Sequence, residues 1–216
     1  MYKTNRNLVI VSSIFVVALV ISNILAAKVV QIGPIEIPAA VIAYPFTFLM
    51  ADIVSEIWGK KEAHFLVGVG FAVQLFSLLL ITIAILLPAA PYTDQEAFSG
   101  VLGQTWRIVL ASMVAYLVSQ TFDVFAFHKV KKHFKAKWMR NSTTVVSQLI
   151  DTSIFITIAF IGSVPSVITM ILSQYVVKVC FALADTPFFY LLTKHGSAEN
   201  KEQYLAMKNA EKPDAE

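Results

Sequence analysis

The 216-residue chain is short of charge, cysteine and backbone breakers: 14% of its residues are charged, and it has one cysteine, eight glycines and eight prolines. A soluble domain usually carries about 25% charged residues to coat its surface, so this shortfall rules out a water-soluble globule. A lone Cys180 excludes an intrachain disulfide and any cysteine-based metal cluster. No G-x-x-x-x-G-K-[ST] run is present, so the chain does not hydrolyse ATP through a phosphate loop. Neither G-x-S-x-G nor H-E-x-x-H occurs, and His64, His128, His133 and His195 all fall at the ends of apolar runs, which argues against an intramembrane hydrolase. A TVGYG-like potassium filter is also missing. The expectation is a non-enzyme with no catalytic residues, no metal site and no cofactor. The net charge of +3 comes from basic residues beside apolar runs and not from a patch with interleaved aromatics, so no nucleic-acid partner is expected.

What the chain does have is hydrophobicity, at 57% of residues. Six bilayer crossings at ~20 residues each would use ~120 residues, close to that total. Apolar windows fall at roughly 8–27, 38–58, 63–88, 104–127, 143–163 and 167–192, separated by Lys28 to Pro38, Gly59 to Glu62, Pro88 to Gly103, His128 to Arg140 and Gly162 to Pro165. The expected fold is therefore an all-α integral membrane protein with six transmembrane helices over residues 1–194, followed by a polar cytoplasmic tail over 195–216. The first window has the basic start and small-residue end of a signal peptide, but its apolar run is longer than the usual signal core.

Orientation follows from the basic residues, which stay on the cytoplasmic side during insertion. With the N-terminus inside, Lys3, Arg6, Lys60, Lys61, the basics between Lys129 and Arg140, and Lys194, Lys201, Lys208 and Lys212 are all cytoplasmic. Only Lys28 is outside, and both termini are inside. The run 128–140 reads as a topology anchor at the lipid headgroups.

Seven ionisable residues fall inside the windows: Asp52, Glu56, Arg107, Asp123, Asp151, Lys178 and Asp185. An ionised group at the bilayer centre costs about 3 kcal/mol even on lenient insertion scales, so each needs a partner, water or a ligand. Ion pairing can account for any one of them, but two bases cannot neutralise five acids. At 1.5 Å per residue, Asp151 lies ~3 Å from mid-span and Lys178 near the midplane. Asp52, Glu56, Asp123 and Asp185 lie ~6 to ~12 Å toward the cytoplasm, and Arg107 ~13 Å outward.

Polar neighbours recur on helical spacing. Ser112, Tyr116, Ser119 and Asp123 form one stripe with Gln120 beside it, Thr144, Gln148 and Asp151 a second, and Gln174, Lys178 and Asp185 a third. Three such stripes on adjacent spans suggest a shared wet cavity, although Ser and Gln also serve as interhelical glue. Pro45 and Pro187 fall inside windows and would free backbone carbonyls or simply kink their helices. Ala18, Ser22 and Ala26 make a small-residue face for close contact inside the fold or with a partner subunit, and Asn23 beside it is a polar contact in the outer half.

Taken in order, Ser22-Asn23-Ile24-Leu25-Ala26-Ala27-Lys28, Tyr44-Pro45-Phe46-Thr47-Phe48 leading to Asp52 and Glu56, Arg107 with Ala111-Ser112, Ser119-Gln120-x-x-Asp123, Arg140-Asn141-Ser142 leading to Gln148 and Asp151, and Asp185-Thr186-Pro187 with Tyr190 resemble the queuosine precursor transporter (vitamin uptake transporter) family. The resemblance runs from about residue 22 to 190. It implies uptake of 7-deazaguanines, chiefly the 7-cyano form and also the 7-aminomethyl form, across the bacterial cytoplasmic (inner) membrane by a multi-pass protein. A guanine-like edge suits the charges found here, because its N–H groups donate to a carboxylate and its carbonyl accepts from Lys, Arg or a Gln amide.

The substrate-binding set expected on this basis is Asn23, Tyr44, Asp52, Arg107, Gln120, Asp123, Gln148, Asp151, Lys178 and Asp185, with Glu56 or Asp185 as proton or charge relay. The expected partners are the small-molecule 7-deazaguanine and the lipid bilayer, with a homo-oligomer or an energising partner subunit left open. The alternative is the substrate-binding membrane subunit of an energy-coupling-factor-type vitamin transporter, which would dock through the Ala18, Ser22 and Ala26 face.

Overall fold

The computed structural model describes residues 3–133, 138–181, 188–189 and 191–193, with the side chains at 120 and across 123–145 outside the described set. Helix α1 (Asn5–Leu25) is followed by strands β1 (Val29–Ile32) and β2 (Ile35–Pro38), a 3-10 turn (Ala39–Ile42), and helices α2 (Tyr44–Ile57), α3 (Lys60–Leu86), α4 (Gln95–Leu102), α5 (Thr105–His133) and α6 (Trp138–Phe160). Helix α7 (Val167–Phe181) completes the series, with short helical pieces at 188–189 and 191–193.

Asn5–Leu25, Lys60–Leu86 and Gln95–Ser119 are long and apolar enough to cross a membrane, while Val146–Phe160 and Val167–Phe181 are apolar but shorter. On α3, Phe65, Leu75, Phe76, Leu79, Leu80, Ile83 and Leu86 are all exposed. In water such a surface would aggregate, whereas in lipid it meets a solvent as apolar as itself. The chain is thus a mostly helical membrane protein.

The separator expected between the first and second spans, Lys28 to Pro38, departs from an all-α pattern. It folds as an antiparallel hairpin with register Val29↔Pro38 to Ile32↔Ile35. Val29, Val30, Ile32, Ile35 and Ile37 are β-branched and favour a strand, and the two-residue turn between the strands is Gly33-Pro34. Gly33 takes the positive φ of 60° that this turn requires. The Ala39 N–H closes the hairpin on the Lys28 carbonyl at 2.8 Å. Helix α2 is then only 14 residues, ~21 Å long. Pro45 occupies the first turn of α2, where a missing N–H costs nothing, so it starts this helix and does not kink it.

The described residues fall into two compact units. The first comprises those up to Val20, those in Ala43–Val73 and those from Cys180 on. Its core is Val11 and Phe15 of α1, Met50, Ile53, Val54 and Ile57 of α2, and Leu66 of α3, with Phe189 and Leu192 packed against it. The α2 contribution follows the i, i+3, i+4, i+7 spacing of a buried helical stripe. Gly70 lets α3 approach α1, since a Cβ there would sit 2.7 Å from Leu19 Cδ2 and 2.9 Å from Phe15 Cε1.

The second unit comprises Ile21–Ile42 and Gln74–Val179. Helix α4, which falls in what the sequence suggested was a plain loop, is capped by the Asp94 carboxylate accepting from the Ala97 N–H at 2.9 Å. Gln95 donates its side-chain amide to the Ile85 carbonyl at 2.8 Å, tying α4 to the end of α3. Helices α5 and α6 pack together antiparallel: Arg107 near the start of α5 reaches Ile158 and Ile161 at the end of α6, while Ser119 meets Asp151 further along. Gly162, with φ of 81°, ends α6 and allows the turn into α7.

Candidate functional site

The second unit brings together polar groups from three helices. Lys178 of α7 sits with Nζ 3.0 Å from Asp151 Oδ2 of α6, and the same ammonium donates to Thr152 Oγ1 at 3.1 Å. Ser119 of α5 donates to Asp151 Oδ1 at 3.4 Å and to the Tyr116 carbonyl at 3.1 Å. Thr152, fully buried, donates in turn to the Gln148 carbonyl at 2.9 Å, which leaves its oxygen lone pairs turned to the lysine. Helical spacing explains the convergence: residues 148, 151 and 152 share one face of α6, facing an α7 that returns antiparallel after a short turn.

The electrostatics of this cluster are those of a paired charge out of bulk water. Desolvating two ions costs several kcal/mol each, and their attraction repays it only with good geometry and supporting hydrogen bonds. Here both conditions are met. The pair is unevenly covered, with side-chain exposures of 11% for Lys178 and 24% for Asp151. The carboxylate is therefore the more approachable end, and among the described residues its Oδ1 accepts the long bond from Ser119. A ligand presenting N–H donors can meet that oxygen, and one presenting a carbonyl can compete for the ammonium.

The other expected residues are distributed as follows. Asn23 of α1 is buried in the second unit, with its amide nitrogen unbonded among the described residues. Gln148 is half-buried on α6, one turn before Thr152. Arg107 is engaged with the backbone, its Nε donating to the Ile158 carbonyl at 2.6 Å and one terminal nitrogen to the Ile161 carbonyl at 2.7 Å. Those carbonyls belong to the last turn of α6 and the residue after it, so the guanidinium caps the negative end of that helix. Tyr44, Asp52 and Glu56 belong to the first unit. Asp52 and Glu56 lie on the exposed face of α2, opposite its buried stripe, and the Tyr44 ring lies 6.4 Å from that of Phe48. The side chains of Gln120 and Asp123, and Asp185 altogether, lie outside the described residues, as do Pro187 and the tail 195–216.

One participant of the site, and one further buried polar group, escaped the sequence reading. Thr152 resembles any β-branched helix residue, and only its place beside Asp151 hinted at a role. Gln74 of α3 is buried with its amide oxygen unbonded among the described residues, and no polar stripe surrounds it in the sequence. Of the small-residue face, Ser22 and Ala26 are 2% and 0% exposed, while Ala18 is half-buried.

A membrane protein whose apolar helices enclose a hydrogen-bonded ion pair has the makings of a solute transporter. Residues 38–192 match the family described as "Putative vitamin uptake transporter", and the chain belongs to that family. It is similar to the "Probable queuosine precursor transporter" of Bacillus subtilis (strain 168), with 31% identity over 185 residues, covering 82% of this chain and 80% of that protein. It is also similar to the "Probable queuosine precursor transporter" of Haemophilus influenzae (strain ATCC 51907 / DSM 11121 / KW20 / Rd), with 28% identity over 125 residues, covering 56% of this chain and 51% of that protein. No solved structure matches the chain.

Proposed function

We propose that this transporter imports a 7-deazaguanine precursor of queuosine, the 7-cyano form foremost, across the bacterial cytoplasmic membrane. In this reading it has six spans and both termini inside. The observation that carries the site is the Asp151 and Lys178 pair, cradled by Ser119 and Thr152 within the apolar helices. The names of the two relatives supply the substrate class. Asp151 accepts from an N–H group of the guanine-like edge, and Lys178 donates to the ring carbonyl. Gln120, Asp123 and Gln148 extend the polar lining along α5 and α6, and Asn23 supplies a further amide. Arg107 acts by positioning, because its contacts hold the end of α6. Asp52, Tyr44 and Asp185 complete the proposed binding set, with Glu56 or Asp185 carrying a proton or balancing charge during alternating access.

The alternative is the substrate-binding membrane subunit of an energy-coupling-factor-type transporter. Of the Ala18, Ser22 and Ala26 face it would dock through, Ala18 is half-buried and Ser22 and Ala26 are buried. The deciding experiment is precursor uptake in cells unable to make it, comparing wild type with Asp151→Asn and Lys178→Ala. Both variants should lose uptake, and unchanged uptake in both would remove the pair from the site. Uptake by the purified chain alone in liposomes would decide against a partner ATPase.

A further inference from the structure

One buried group on α7 has no role so far. Gln174 is 0% exposed, and neither its amide nitrogen nor its amide oxygen has a hydrogen-bond partner among the described residues. Leaving a buried donor or acceptor unmade costs about 1–3 kcal/mol per group, and a glutamine could be replaced at this position by an apolar residue of similar volume. The orphaned amide therefore works against stability, which is the mark of a group whose partner comes and goes.

Its position says which partner. Gln174 and Lys178 are four residues apart on one helix face, ~6 Å along the axis. Because side chains on a helix lean toward its N-terminus, the lysine stem leans toward the glutamine. Lys178 meets α6 at Asp151 and Thr152, so the antiparallel return of α7 puts Gln174 level with Phe155 and Ile156, which are buried and apolar. A flat ring lying along α6 and α7 would meet the carboxylate and ammonium at one end. At the other it would meet an unsatisfied primary amide at the level of an aromatic side chain.

We propose that Gln174 is a specificity-determining residue that reads the lactam of the substrate, resting on the deazaguanine reading above. Its amide oxygen accepts from the ring N1–H and its amide nitrogen donates to the adjacent carbonyl, while Asp151 accepts from the exocyclic 2-amine. A primary amide is complementary to a lactam in both senses, as a donor and acceptor side by side. A 2-amino ring without the 6-oxo group offers the amide only N1, as an acceptor, so one of those two bonds is lost.

The test uses Gln174→Met, which keeps volume and removes both polar groups. In detergent, the unliganded variant should unfold at the same temperature as wild type or higher, since it loses only unmade hydrogen bonds. In cells, its KM for 7-cyano-7-deazaguanine should rise by about tenfold or more. The preference of wild type for lactam competitors over 2-amino rings that lack the 6-oxo group should narrow in the variant. A structural glutamine would give the opposite result: a lower unfolding temperature with the competitor preference intact. That outcome, or an unchanged KM, overturns the proposal while leaving the Asp151 and Lys178 site standing. If wild type takes up no deazaguanine at all, the substrate reading and this inference fall together.

Discussion

Lys178 of α7 reaches across to Asp151 of α6, Nζ to Oδ2 at 3.0 Å, although the two are 27 positions apart in sequence. This bond ties the last described long helix to its neighbour, and it places a formally neutral but strongly dipolar element inside apolar helices. A pair of this kind is costly to make and costlier to break on one side only. Asp151→Asn takes from the ammonium the counter-charge at Asp151, and Lys178→Met takes from the carboxylate the counter-charge at Lys178. Each single variant should be destabilised by about 3–5 kcal/mol, while the double variant Asp151→Leu with Lys178→Met should recover most of that loss. Thermal unfolding in detergent reads the stability, and uptake should be absent in all three. A double variant that transports normally would mean that the pair serves only the fold.

How far this site could be read from the sequence depends on what a hydropathy pattern records. The charges at Asp151 and Lys178 stand out because an ionisable residue inside a long apolar run is expensive, and helical spacing alone places both near mid-span. Helix α1 at Asn5–Leu25, α3 at Lys60–Leu86 and α5 from Thr105 fall where apolar windows at 8–27, 63–88 and 104–127 put them. The window at 38–58 did not convert into one helix, because apolar content says that a segment is buried or in lipid and does not say in what conformation. In the separator before that window, Gly33-Pro34 between short β-branched runs was the local signal for the hairpin. Arg107 shows the other gap: its charge was visible, but its carbonyl partners at Ile158 and Ile161 are about fifty residues away in sequence and depend on α5 and α6 being antiparallel.

Arg107 uses two nitrogens of one planar fork on two carbonyls, a geometry that a lysine ammonium on a flexible stem does not reproduce. Arg107→Lys should therefore not behave as a conservative change. Losing one charge-assisted bond to the end of α6 should cost about 1.5–3 kcal/mol in detergent unfolding. Uptake should fall through the maximal rate more than through KM, since the residue is proposed to position α6 and not to bind substrate. A large rise in KM at unchanged unfolding temperature would instead mark it as a substrate ligand.

Gly70 is required by contact and not by backbone angle. An added Cβ would lie within 3 Å of both Leu19 Cδ2 and the buried Phe15 ring, so Gly70→Ala forces α1 and α3 apart or moves Phe15. Overpacking of this kind typically costs about 1–3 kcal/mol. Gly68 on the same helix has nothing within 4 Å of an added Cβ, so Gly68→Ala is the matched control. Exchanging a helical glycine for alanine at an open position should gain about 0.5–1 kcal/mol. The two variants should move the unfolding temperature in opposite directions, and a Gly70→Ala protein as stable as wild type would contradict the close approach.

The distribution of basic residues predicts which side of the membrane each end of α3 faces. Lys60 and Lys61 begin that helix, and the exposed segment around Thr93 follows it after ~40 Å of helix, enough to span a ~30 Å hydrocarbon core with tilt. Cys180 is the one native thiol and is exposed, so a Cys180→Ala background gives a clean start for single-cysteine labelling. In right-side-out vesicles, an impermeant thiol reagent should label the Thr93→Cys variant directly. The Lys61→Cys variant should react only after the membrane is opened, because basic segments are retained on the cytoplasmic side. Labelling of both variants from the same face would show that α3 does not cross, and the charge-based orientation would fail with it. The reverse pattern would keep the crossing but turn the whole chain over, placing the N-terminal basic residues Lys3 and Arg6 outside, against the bias that the sequence carries.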